Sequence, residues 1–169
     1  MISDVEPSTP RRFLSELSFG SLPFLEDHHV AGAVIVPGAS YVELAIAARD
    51  ALTGSPSCSI EDLEFKVALP LEADSPAHVA ATITPDSAVF SVHRERTGGD
   101  PVLCARAKVY SSGRIPESVD IEELRRRLID KVSPEALYAS LAKRGLRYGS
   151  KFQPVRSLRR ITGEVLAGL

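Results

Sequence analysis

His28, Gly32 and Pro37 stand in the spacing His-x-x-x-Gly-x-x-x-x-Pro, and Gly38 follows at once. An imidazole titrates near neutral pH, so it can take a proton from the carbon beside an acyl carbonyl. That step builds negative charge on the carbonyl oxygen, which then needs fixed N–H donors. Pro37-Gly38 leads into a helical pattern, and a helix N-terminus offers unpaired N–H groups at the positive end of its dipole. Gly38 has no side chain to hold a ligand away from its N–H. The spacing therefore points to proton abstraction at an α-carbon. His28 is the expected catalytic base, and Gly32, Pro37 and Gly38 are expected substrate-binding positions.

The other titratable residues have plainer readings. His29 is next to His28, so in an extended segment its side chain points the other way; it is read as structural or exposed. His78 and His93 lie in alternating segments and are read as surface residues. Glu43 falls in the first turns of the expected helix, where an acid favours the dipole. Cys58 and Cys104 have no metal-ligand spacing, which suits a reduced, cytoplasmic compartment and gives no metal site. No glycine-rich phosphate loop is present, so no nucleotide cofactor is expected.

Elements must position these groups. The 169 residues are 44% hydrophobic and 25% charged, enough for a real core. A formal charge of −2 gives no reason to expect nucleic acid or an anionic membrane as partner. The apolar runs are far shorter than a bilayer span, and the N-terminus lacks the apolar stretch of an export signal. Residues 13–24 read as extended chain. Ala39 to Leu52 reads as a helix, apolar nearly all round and so expected to be buried on most sides. Four segments of period two follow, near 63–69, 79–84, 88–93 and 103–110, each with one apolar face. Turn residues such as Pro85-Asp86 and Gly98-Gly99-Asp100-Pro101 separate them. A one-sided sheet needs a cover, and the helix is the only candidate of suitable length. The expected class is α+β, an antiparallel sheet wrapped around a central helix.

Beyond Ser111 the pattern weakens. Val119 to Ile129 reads as a short amphipathic helix whose Arg125-Arg-Arg127 run is a solvated face. Ser133-Pro134 opens a further helix as N-cap and first position, and Gly145 ends it. Val155 to Leu169 reads as one long strand, or two joined at Thr162-Gly163.

The His28 spacing, with Leu25, Asp27, Val30, Gly38, Ala39, Tyr41 and Glu43 around it, resembles the signature of the dehydratase domains of type I polyketide synthases. Gly145-Leu-Arg-Tyr-Gly-Ser-Lys-Phe-Gln153 resembles that family's second motif, Gly-Tyr-x-Tyr-Gly-Pro-x-Phe, with Leu146 and Ser150 in place of a Tyr and the Pro. The resemblance implies a double hotdog fold. It divides the chain into a flexible leader (1–10), a first hotdog (11–112), a linker with a short helix (113–132) and the start of a second hotdog (133–169). It implies that water is removed from a β-hydroxyacyl thioester, with no metal and no organic cofactor. The acyl group would arrive on the phosphopantetheine arm of an acyl carrier protein, and neighbouring synthase domains would be partners. Tyr148 and Phe152 become substrate-binding candidates by the same resemblance, against a plain packing reading of each aromatic.

The family's Leu-Pro-Phe-x-Trp motif does not occur in these residues, and its catalytic Asp-x-x-x-Gln/His motif, which lies in the second hotdog, does not occur in residues 133–169. The chain is therefore expected to start a second unit without completing it and to leave its last strand without a partner. A homodimer is one way to cover such an edge. The alternative reading is a truncated or non-catalytic hotdog that binds acyl chains or supports assembly.

Overall fold

A computed structural model of the chain describes residues 9–85, 87–111 and 117–169. Nearly all of the expected leader, the start of the expected linker and Asp86 of the Pro85-Asp86 turn lie outside the described residues. In chain order the elements are β1 (Arg11–Leu17), β2 (His28–Val30), β3 (Ala33–Val34), α1 (Gly38–Thr53), β4 (Cys58–Phe65), β5 (Ala77–Ile83), β6 (Val89–Arg94) and β7 (Val102–Ser111). Then come α2 (Ile121–Arg127), β8 (Asp130–Val132), α3 (Pro134–Lys143), β9 (Leu146–Tyr148), β10 (Ser157–Ile161) and β11 (Glu164–Gly168). They form two compact units. One is Met1–Pro23 with Ile35–Gly113; the other is Phe24–Val34 with Arg114–Leu169.

The first unit is a five-stranded antiparallel sheet in the order β1-β5-β6-β7-β4, with α1 packed against β4, β5 and β7. Its core comes from the alternation visible in the sequence. Val79, Ala81 and Ile83 of β5, Phe90 and Val92 of β6, and Ala105, Ala107 and Val109 of β7 are all buried. Each large apolar side chain buried this way contributes about 1.5–3 kcal/mol. The extended segment before Gly20 becomes a fifth strand, since β1 pairs along β5 from Arg11 opposite Ile83 to Leu17 opposite Ala77.

Three expectations need correction. The alternation from Leu63 to Leu69 is not one strand. β4 ends at Phe65, and Asp62, with φ of 50°, is the extra residue of a bulge between Glu61 and Glu64. A bulge re-aims the residues that follow it. So Phe65 and Val67 are exposed while Leu69 is fully buried. Cys104, which the alternation of 103–110 sets on the face opposite Leu103, Ala105, Ala107 and Val109, belongs to the core. The β6–β7 register shifts between Val92 and His93, and Cys104 and Ala105 are both buried. Lastly, α1 is not buried on most sides. Tyr41, Ala45 and Ala48 form its buried stripe, while Ala39, Glu43, Ala47 and Ala51 are exposed. Much of its apolarity is alanine, which exposes little surface.

α1 is stopped by Gly54, whose φ of 68° suits a residue without Cβ and whose N–H bonds the Asp50 carbonyl at 2.7 Å. Where α1 packs on the sheet, its Tyr41 lies beside Cys104 of β7. Burial pushes the Tyr41 hydroxyl well above the usual tyrosine range, and the thiol beside it adds to the shift.

The second unit holds two small antiparallel sheets, β3-β2-β9 and β11-β10-β8. The Asp120 carboxylate caps α2 by accepting the Glu123 N–H, and the Ser133 hydroxyl caps α3 by accepting the Ala136 N–H. The arginine run on α2 is a solvated face laced with ion pairs. Arg125 meets Glu122, and Arg127 lies 2.6 Å from Glu164 and 3.4 Å from Glu123. Residues 155–169 do not lack partners. β10 and β11 form a hairpin through Thr162-Gly163, and β8 pairs with the other edge of β10. That partner comes from within the segment expected to be linker. Asp130 and Arg160 tie the two strands at 2.9 Å.

Candidate active site

His28 opens β2 and Tyr148 closes β9, and the register puts them directly opposite one another. His29 faces Arg147 and Val30 faces Leu146 in the same ladder. Two motifs 120 residues apart in sequence thus become neighbouring strands. The His28 and Tyr148 rings stack, with centroids 5.1 Å apart and planes 17° apart. Phe152 tilts against His28 from 5.0 Å and Phe24 against Phe152 from 6.3 Å. With aromatic rings against it, the imidazole is held in one orientation, and its in-plane nitrogens are the route for polar contact and proton transfer.

Asp27 locks this cluster from behind. Its backbone carbonyl accepts the Gly149 N–H at 2.8 Å, and its carboxylate accepts the Lys151 N–H at 2.9 Å. Gly149 has ordinary φ, so its freedom is not what requires glycine. A Cβ there would fall on the Asp27 carboxyl. Gln153 donates its side-chain amide to the Tyr148 carbonyl, closing the loop that carries both Tyr148 and Phe152. The sequence reading passed over Asp27 and Phe24 as functional positions. Asp27 was noted only as one of the residues around His28 that fit the family pattern, and spacing alone does not distinguish it from a solvated acid.

Gly32 has its own reason to be glycine. Ala31 and Gly32 have φ of 51° and 89°, and they join β2 to β3 with Val30 opposite Ala33. Two consecutive positive φ values are what a tight hairpin of this twist demands. The Ala31 N–H bonds the Gly145 carbonyl at 2.8 Å, so this turn too is tied to the second motif.

Pro37 and Gly38 belong to the first unit. Pro37 is buried at the cap position of α1, and no side chain caps that end. A Cβ on Gly38 would lie 2.8 Å from Cζ of Phe65, so the ring occupies the space a side chain would need. Glu43 is exposed on α1, His78 is exposed, and His93 is half-buried. Among the described residues no cluster of three or more His, Cys, Asp or Glu side chains is arranged to hold a metal.

The model for the polyketide synthase dehydratase domain matches residues 2–95. The chain belongs to the polyketide synthase dehydratase family. A second model, for the polyketide synthase dehydratase N-terminal domain, matches residues 116–169 of this dehydratase-family chain. It is 31% identical over 152 residues to the phthioceranic/hydroxyphthioceranic acid synthase of Mycobacterium tuberculosis strain H37Rv, covering 86% of this chain and 7% of that protein. Against a highly reducing polyketide synthase of Didymella fabae it is 27% identical over 171 residues, covering 83% of this chain and 9% of the other. The dehydratase domain from the CurJ module of the curacin polyketide synthase superposes with a TM-score of 0.83 at 29% identity, over 99% of this chain and 58% of that one. The CurF-module dehydratase domain gives 0.85 at 23% identity, over 99% and 61%, a likeness of fold. The fold is therefore α+β of the hotdog type. The dehydratase-family chain spans under a tenth of the curated synthases and about three fifths of these solved domains. No helix among the described residues is long and apolar enough to cross a membrane.

Proposed function

We propose that the chain supplies the base side of a dehydratase acting on β-hydroxyacyl thioesters. His28 takes the α-proton, the electrons of that C–H bond form the C=C bond, and the β-hydroxyl leaves with a second proton as water. The products are an enoyl thioester and water. The donor of the second proton is, by the family resemblance, an aspartate of the second hotdog, in a motif that residues 133–169 do not include. The reading asks for no metal and no organic cofactor. The acyl group arrives on the phosphopantetheine arm of an acyl carrier protein, in the cytoplasm, within a multidomain synthase that a homodimer would suit. The observation that carries the reading is the direct pairing of His28 with Tyr148, which joins the two dehydratase motifs in one ladder.

The test is dehydration of a β-hydroxyacyl thioester by the chain, alone and joined to the rest of a dehydratase domain. The joined protein is expected to turn over, and His28→Ala is expected to lower the rate about 10²–10⁴-fold. Unchanged turnover in His28→Ala removes the histidine from its role. Full activity of the 169 residues alone moves the search for the acid to groups within them.

A further inference from the structure

β6 ends at Arg94 and the chain runs on through Glu95 and Arg96, three charges with different surroundings. Glu95 is engaged: its carboxylate meets Arg12 at 2.7 Å and its N–H bonds the His78 carbonyl at 2.8 Å. Arg94 and Arg96 line a hollow of about 320 Å³ together with Val67, Ala68, Val102 and Cys104. Neither arginine has a carboxylate partner among the described residues, and Arg94 is half-buried. Two larger hollows on the same unit differ. In one, of about 500 Å³, Lys108 meets Asp62 at 2.7 Å and Arg106 meets Glu64 at 2.8 Å. In the other, of about 440 Å³, Arg12 and Glu95 satisfy one another.

The floor of the arginine hollow is fixed and apolar. The Lys66 N–H bonds the Cys104 carbonyl at 2.8 Å and fastens the 66–68 segment to β7. The Cys104 thiol is buried and points its weak donor at the Val102 carbonyl, 3.5 Å away. Two arginines thus line the hollow together with Val67, Ala68 and Val102. Guanidinium forks match oxyanions, and phosphate has enough oxygens to engage two forks, whereas a carboxylate is saturated by one. The apolar neighbours call for uncharged carbon next to the anion.

We infer that Arg94 and Arg96 form a binding site for the phosphate of a phosphopantetheine arm, with Val67, Ala68 and Val102 receiving the branched carbons beside that phosphate. This rests on the reading above that the acyl group arrives on such an arm.

Calorimetric titration of the 169-residue chain with 4′-phosphopantetheine and with pantetheine, which lacks the phosphate, tests it. The phosphorylated ligand is expected to bind at least about ten-fold tighter. That advantage should vanish in R94Q/R96Q, shrink in the exposed R96Q alone, and persist in R106Q, whose arginine is already paired. Equal affinity for the two ligands, or an equal loss in R106Q, overturns the site. A carrier protein bearing the arm should lose affinity in R94Q/R96Q while the arm-free carrier does not; equal losses mean a contact with carrier surface and overturn it too. The two readings separate in the completed domain. Phosphopantetheine binding without dehydration sinks the proposed activity and leaves the site. Dehydration of the carrier-bound substrate with an unchanged KM in R94Q/R96Q sinks the site and leaves the activity.

Discussion

Asp27 joins the two motifs through backbone and side chain at once, accepting the Gly149 N–H at 2.8 Å and the Lys151 N–H at 2.9 Å. Removing the carboxylate gives up this bond to the N–H of the exposed Lys151, a net loss of about 0.5–1.5 kcal/mol because water can take the acceptor's place. Asp27→Ala should therefore lower the melting midpoint and reduce His28-dependent dehydration by loosening Tyr148 and Phe152. Asp27→Asn keeps an oxygen acceptor and should recover most of both. If Asn and Ala behave alike, the carboxylate's charge and not its hydrogen bond is what matters. Gly149→Ala should be worse than either, because its methyl group and the Asp27 carboxyl cannot share one space. The histidine was legible in the sequence because imidazole chemistry and the proline-glycine break lie within eleven residues of each other. Asp27 was not, because its partners are backbone N–H groups about 120 residues away, and backbone donors leave no mark on composition.

On β4, Glu64 sits between Arg106 and Lys66, whose hydrogen bonds hold its carboxyl far below the usual carboxylate range, at about 2. A carboxyl with a depressed folded-state pKa stabilises the fold above its unfolded pKa, near 4.5, and loses that contribution as pH falls toward 2. Thermal midpoints measured from pH 5 to pH 2 should drop less steeply in Glu64→Gln than in the parent. The difference should be small and shrink in high salt, because the cluster is open to solvent. Parallel slopes would mean that other carboxylates dominate acid unfolding. The same strand marks the limit of pattern reading. Regular alternation revealed β5, β6 and β7, the apolar run after Pro37-Gly38 revealed α1, and the Ser133 cap revealed α3. The bulges at Asp62 and Cys104 were hidden, because a single extra residue inverts a face while leaving the apolar count unchanged. β8 was hidden for a different reason: three residues hold too little alternation to be told from a linker.

Taken as a whole chain, the molecule is divided unequally in sequence. The second unit is built from a short early segment, Phe24–Val34, and a late one, Arg114–Leu169. The β5–β6–β7 meander closes over short turns, whereas the β2–β9 ladder must bring His28 to Tyr148 across 120 residues. Non-local closure is slower because loop entropy is lost before contacts form. Pulse-labelled hydrogen exchange during refolding should find the amides of β6 and β7 protected before those of His29 and Arg147. Simultaneous protection would mean that the two units fold as a single cooperative block. The interval has a counterpart during synthesis. A ribosome adding roughly 5–20 residues per second needs about 6–24 s to carry the nascent chain from His28 to Tyr148. Throughout that time β2 is already outside or entering the exit tunnel with no β9 to pair with. A stalled or truncated translation product ending before Leu146 would own every strand of the five-stranded sheet and still present His28 on an unpaired edge, the kind of edge that chaperones and proteases survey.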